Sequence, residues 1–242
     1  MATVLLVRHG RTTANTSGVL AGRSTGVRLD DVGTEQVVRT GDRLAAVPLA
    51  AVVTSPLERC RQTAQALVDR QGTPAPAVRD KGLVEVDYGE WTGAELKSLA
   101  KEPLWKVVQG QPAAATFPGG EGLAAMAARA VATVRRWDAT VEAEHGPGAV
   151  WAAVSHGDVI KAVLADALGL HLDAFQRIVV DPASVSVVRY TPGRPFVLMT
   201  NTAAGDLGFL VPPPAAKGRR RRSAKRGDSD AVVGGGAGPA GR

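Results

Sequence analysis

Two histidines in this chain keep matching company. Arg8-His9-Gly10 follows the apolar run at residues 3–7, and Ser155-His156-Gly157 follows another at residues 149–154. A third polar group, Ser55-Pro56-Leu57-Glu58-Arg59-Cys60-Arg61, follows the apolar residues 50–54. A neutral imidazole nitrogen is a competent nucleophile toward phosphorus. A guanidinium offers the forked, permanently charged donors that a phosphate dianion needs. A second imidazole can donate to phosphoryl oxygens as charge builds on them, and Asn15 adds an amide donor six residues after His9. These types suit phosphoryl transfer, which still needs a proton donor for the leaving alkoxide. Residues 83–93 (LVEVDYGEWTG) offer Glu85, Asp87 and Glu90. Their alternation at a strand end directs Glu85 toward the patch. A carboxyl beside bound phosphate has its pKa raised toward neutrality.

The three clusters converge only if the strands before them are neighbours. Residues 3–7, 50–54 and 149–154 read as buried strands, and helical patterns alternate with them. That alternation predicts an α/β sandwich with a largely parallel central sheet, whose site lies beyond the carboxyl ends of the strands. A helix capped by Asp31 is expected over residues 34–46, after a Gly-containing loop from Gly10 to Leu29. Ser55, Pro56 and Glu58 have the spacing of a capping box opening the next helix. Residues 75–80 should hold a short strand. Residues 90–100 suggest a helix with Pro103 near its end, and residues 109–120 a loop. Leu123, Met126, Ala130, Val134, Trp137 and Val141 form one face of a long helix. Residues 184–190 and 195–201 resemble a closing hairpin.

The 242 residues suffice for one domain, expected over residues 1–210. Residues 211–242 are Pro, Gly, Ala and charge without periodicity, and are expected to form a disordered basic tail. From Lys217 onward the tail sets eight basic against two acidic residues, the whole of the chain's +6, so the body is neutral. Nucleic acid is therefore expected at most as a non-specific partner of the tail. With Cys60 as the single cysteine, no intrachain disulfide and no cysteine-based zinc site can form. That composition suits a reducing, cytoplasmic setting. No signal peptide and no apolar run long enough to span a bilayer is evident, so no membrane partner is expected.

The pieces VRHGRTTAN, TSPLERCRQTA, LVEVDYGEWTG, PGGEG and VSHGDVIKA occur in this order. Together they resemble the histidine phosphatase superfamily in its phosphoglycerate-mutase-like branch, over about residues 3–202. The resemblance implies a three-layer α/β/α sandwich and a metal-independent phosphomonoesterase acting on a small phosphorylated metabolite. It implies that His9 becomes a phosphohistidine and that Arg8, Arg59 and His156 form the phosphate pocket. Asn15 then adds a phosphate contact, and Glu85 is first the general acid and later the base that activates water. No cofactor is implied for a phosphatase. The alternative, a phosphoglycerate-mutase-like phosphomutase, would use 2,3-bisphosphoglycerate. Arg11 and Thr92 depart from the family's pattern, where a Glu and an acidic or bulky residue are common, and both changes bear on the substrate.

The short stretch from Glu85 to Glu121 favours hydrolysis over a shielded transfer, although residues 101–117 can form a partial lid. Arg23 is a candidate substrate contact, and Trp105 and Phe117 candidate pocket walls. Among rivals, Ala153-Val154-Ser155-His156-Gly157 lies one residue from a serine-hydrolase elbow. His171 is the only later histidine, and that scheme leaves Arg8, His9 and Arg59 unused. A degenerate phosphate sensor is disfavoured by the complete motif set.

Overall fold

A computed structural model describes residues 2–73, 75–203 and 233–236. The strands are β1 (Thr3–Arg8), β2 (Val52–Thr54), β3 (Ala77–Arg79), β4 (Val150–Ser155), β5 (Val185–Arg189) and β6 (Phe196–Thr202). The α-helices are α1 (Thr13–Ser17), α2 (Asp31–Leu44), α3 (Glu58–Val68), α4 (Leu96–Leu99), α5 (Pro103–Gly110), α6 (Leu123–His145) and α7 (Gly157–Ala167). The strands form one six-stranded sheet in the order β3-β2-β4-β1-β5-β6. The first four are parallel, and β5 and β6 add an antiparallel pair.

Alternation along the strands builds two cores. Val4 and Leu6 of β1, Val53 of β2 and Trp151 of β4 face the layer made by α6 and α7. Leu5 and Val7, Val52, Ala152 and Val154 face Leu44 of α2 and Leu67 of α3. The result is the three-layer sandwich expected of the pattern. Each fully buried Val or Leu contributes roughly 1.5–3 kcal/mol relative to exposure, so a one-residue slip of β1 would be costly on both faces.

Register brings the polar clusters together. Arg8 pairs with Ser155 across β1 and β4, and Thr54 with Val154 across β2 and β4. His9 N–H continues the ladder to Ser155 O (3.0 Å), and Ser55 N–H to Val154 O (2.9 Å). The three strands therefore end at one level. Gly10 is required by close approach rather than by a turn: a Cβ there would lie 2.6 Å from Gly33 O and 2.7 Å from Val37 Cγ1 of α2.

Local departures from the sequence expectations have identifiable causes. The cap of α2 is Asp30, one residue early, accepting from Gly33 N–H at 2.7 Å. The Ser55 capping box does not form: α3 starts at Glu58 after an uncapped Leu57, and Ser55 Oγ is engaged by His156 Nε2 at 2.8 Å and accepts from Leu57 N–H at 3.4 Å. Within the expected loop 10–29, Thr12 and Asn15 close a capping box around α1. Residues 90–100 hold the end of a 3₁₀ turn (Gly89–Trp91) and the short α4 in place of one helix. Pro103 opens α5 instead of ending a helix, a position where its missing N–H costs nothing. Residues 204–232 and 237–242, most of the expected tail, lie outside the described residues.

Candidate active site

His9, Arg59, Glu85 and His156 are each no more than 3 % exposed and converge at the carboxyl ends of β1, β2 and β4. His9 follows β1 directly. Its Nδ1 lies 2.7 Å from Gly10 O. A carbonyl only accepts, so Nδ1 carries the proton and Nε2 holds the lone pair. Arg59 Nε, from the first turn of α3, donates to that Nε2 at 3.3 Å. Burial, then Arg59 and Arg8, hold the His9 pKa well below the usual 6.5, so the ring is neutral at pH 7.

His156 precedes α7 and sits edge-on to His9, with ring centroids 5.3 Å apart. Arg59 Nη2 donates to His156 Nδ1 at 3.2 Å, and also to Gly22 O at 2.8 Å. His156 Nε2 therefore carries the proton and donates to Ser55 Oγ at 2.8 Å. Burial, followed by Arg59, pushes this pKa far down as well. Arg59 Nη1 is buried with no hydrogen-bond partner among the described residues. One guanidinium thus spans two neutral imidazoles and keeps a donor in reserve.

The Glu85 carboxyl lines the same cavity as His9 and Arg59. Its Oε2 is 4.0 Å from His156 Nδ1, and its Oε1 accepts from Val86 N–H at 3.0 Å. Burial, reinforced by the Asp158 charge and opposed by Arg59 and Arg8, raises its pKa to about 7. A proton held at that pKa is available to a leaving group near neutrality. Asp87 and Glu90, the competing carboxyls, do not line the cavity.

The other expected contacts divide. Asn15 lines the cavity; its Oδ1 caps Thr12, so its amide N–H groups are what it can offer a ligand. Arg8 is fully buried behind the cavity. Its Nη1 donates to Val180 O (2.8 Å) and its Nη2 to Gly234 O (3.2 Å) and Gly236 O (2.8 Å). Burial lowers its pKa to about 10, which leaves it charged at neutral pH. Arg23 is not at the cavity. Its donors go to Glu85 O, Asp87 and Glu121. Trp105 stacks on Trp91, and Phe117 packs edge-on to Tyr88 and Trp91, so both are packing residues.

Several participants escaped the sequence reading. Ser55 receives the His156 proton. Asp158, in the first turn of α7, accepts from Tyr88 Oη (2.8 Å) and from Gly234 N–H (3.0 Å). Its place directly after Ser155-His156-Gly157 was the available signal. Residues 233–236 close the cavity from outside: Val233 is buried, and together with Gly234 and Gly236 it lines the same space as His9. The enclosed volume is about 30 Å³. Among the described residues no group of three His, Cys, Asp or Glu side chains could hold a metal ion, and no helix is long and apolar enough to cross a membrane.

A family model described as histidine phosphatase superfamily (branch 1) matches residues 4–203. The glucosyl-3-phosphoglycerate phosphatase of Mycolicibacterium vanbaalenii is 31% identical over 178 residues, 70% of this chain and 76% of that protein. The probable phosphoglycerate mutase GpmB of Yersinia enterocolitica is 31% identical over 193 residues, 78% of this chain and 86% of that protein. Among solved structures, Bacillus stearothermophilus YhfR superposes with a TM-score of 0.73 at 26% identity, covering 82% of this chain and 96% of that one. The first curated relatives matched are mycobacterial proteins, 32% identical over 201 residues, and this chain spans about half their length (53%).

Proposed function

The chain belongs to the histidine phosphatase superfamily, and on that premise we propose that it hydrolyses a small phosphomonoester through a phosphohistidine at His9, without a metal. The observation that carries this is the Arg59 guanidinium. It donates to the lone pair of a neutral His9 and keeps Nη1 buried without a partner among the described residues, a donor free for a phosphoryl oxygen of a phosphate placed at Nε2.

The chemistry follows from the protonation states. His9 Nε2 attacks phosphorus. The bond to the ester oxygen breaks, and that oxygen takes the Glu85 proton and leaves as an alcohol. Arg59 and His156 bind the phosphoryl oxygens as charge gathers on them, Asn15 adds its amide donor, and Arg8 joins once a ligand oxygen replaces the two glycine carbonyls on Nη2. The Glu85 carboxylate then takes a proton from water. The resulting hydroxide equivalent attacks phosphorus, the P–N bond breaks, and inorganic phosphate departs with His9 neutral again. The catalytic domain is assigned to residues 1–210 with 211–242 appended, corrected at residues 233–236: the sequence predicts disorder there as in the rest of the tail, but they form a short turn that lines the His9 cavity and so belong to the site. A cytoplasmic location is assigned because the only cysteine is buried and unpaired.

The enclosure of His9 favours a second reading. A site this closed to water can return the phosphoryl group to a substrate, and the similarity to a probable phosphoglycerate mutase points the same way. One experiment separates the two: incubation with phosphomonoesters in chelator, with and without 2,3-bisphosphoglycerate, with an alkaline denaturing quench, mapping of the phosphorylated residue and a test of the label's stability to acid. Label that is acid-labile and lies on His9, with release of inorganic phosphate, supports the phosphatase. Isomerisation that depends on the bisphosphate supports the mutase. Label on Ser155 overturns both.

A further inference from the structure

The geometry points to Glu121, with Arg23 and Arg129, as positioning residues that hold the Glu85 carboxyl at the reacting oxygen. This inference rests on Glu85 being the general acid.

Residues 84–88 form neither helix nor strand, so no ladder fixes Glu85 as ladders fix His9 and Ser55. Side chains hold the segment instead. Arg129 Nη1, from α6, donates to Gly82 O (2.9 Å) and Val84 O (2.8 Å). Arg23 Nε donates to the carbonyl of Glu85 itself at 2.9 Å, and Arg23 Nη1 reaches Asp87 Oδ2 at 3.2 Å. The two arginines are joined through a single oxygen. Glu121 Oε1 accepts from Arg23 Nη2 (2.7 Å), Arg129 Nη2 (2.7 Å) and Asp87 N–H (2.9 Å). Glu121 N–H in turn donates to Asp87 O at 2.9 Å. Glu121 and Arg129 are about one-fifth exposed and Arg23 about one-third, so these are charge-assisted bonds in a partly shielded place.

Every backbone contact of this clamp falls between Gly82 and Asp87, on both sides of Glu85. None of the three side chains lines the cavity. The clamp therefore acts on the acid through the backbone, and not on the phosphate. A misplacement of about 1 Å at a reacting group can cost on the order of 10²-fold in rate.

The test is a leaving-group comparison. An alkyl phosphate needs a proton on its departing oxygen, whereas p-nitrophenyl phosphate departs as a stable phenolate. The kcat/KM of each reports the steps up to phosphoenzyme formation. Glu121→Ala is expected to lower kcat/KM about 10²-fold for the alkyl ester and only about 3-fold for the aryl ester, since general acid catalysis is worth roughly 10²–10⁴-fold. Arg23→Gln, which keeps one donor, is expected to give the same split at smaller size, and it serves if Glu121→Ala does not fold. In a Glu85→Gln background, Glu121→Ala should cost nothing further on the alkyl ester. Equal losses on both esters, or additive losses in the double variant, overturn the clamp. If Glu85→Gln alone shows no leaving-group dependence, the general-acid assignment fails, which is a different result from failure of the clamp.

Discussion

The two halves of the site are built by different means. His9, Ser55 and His156 continue or follow parallel strands, and their backbones are fixed by hydrogen bonds of the sheet. Arg59 enters on the first turn of α3, a fixed step beyond β2. Glu85 sits in an irregular segment whose backbone partners are arginine and glutamate side chains. The first half is as rigid as the core, because moving it means breaking the ladder of β1, β2 and β4. The second half is held by long side chains and can be loosened without touching the sheet. A nucleophile and its phosphate pocket gain from rigidity. An acid that must give up a proton and later take one back tolerates a softer mount.

Substitutions that separate the halves test this contrast. The largest effect is expected from His9→Ala, which should remove turnover of alkyl and aryl esters alike by at least about 10⁴-fold, as loss of a nucleophile does elsewhere. Circular dichroism should be unchanged. An aryl-ester rate that survives in His9→Ala would place the nucleophile elsewhere.

Next comes Glu85→Gln, expected to cost about 10²–10³-fold on alkyl esters and to erase the alkaline limb of the kcat/KM profile. That limb should fall through about pH 7 in the native enzyme, because the acid form of Glu85 is lost there. The same group sets a sign for stability. Between 4.5, its ordinary value, and about 7, the folded protein keeps a proton that the unfolded chain has released, so stability falls as pH rises through that window. Glu85→Gln should therefore melt at a higher temperature than the native protein at pH 8, with little difference at pH 4.5. A lower melting temperature at pH 8 would mean that the carboxylate is paired, not penalised.

The smallest effect is expected from Ser55→Ala. It deprives His156 Nε2–H of its acceptor and should cost about 10-fold, in line with roughly 1–3 kcal/mol for an unsatisfied buried donor. Alkyl and aryl esters should suffer equally, since the lesion lies on the phosphate side. An alkyl-selective loss from Ser55→Ala would merge the two halves that the geometry keeps apart.

The same contrast explains what could be read from the sequence. The buried strands, a largely parallel sheet and the polar clusters beyond three of its strands were legible, because an apolar run that ends in polar residues marks a strand end; the order of the strands was not. The convergence of His9 and His156 was recoverable for that reason, and Arg59 from its place just after the apolar residues 50–54. Glu85 was recoverable as one of three nearby carboxyls. Arg23 reads from the sequence as a substrate contact, whereas its donors go to Glu85 O, Asp87 and Glu121; these partners lie far along the chain and no periodicity links them. The Ser55 capping box had the right spacing, but local pattern cannot register that an imidazole from a distant segment takes the serine oxygen.

Residues 233–236 carry one more consequence. The carbonyls on Arg8 Nη2 come from the enzyme's own chain, so they meet that guanidinium at an effective concentration set by covalent connection and not by the amount of protein present. Dilution does not release them. A ligand oxygen that takes their place faces a competitor of fixed strength, and the exchange responds only to ligand concentration or to a cut in the chain before Val233.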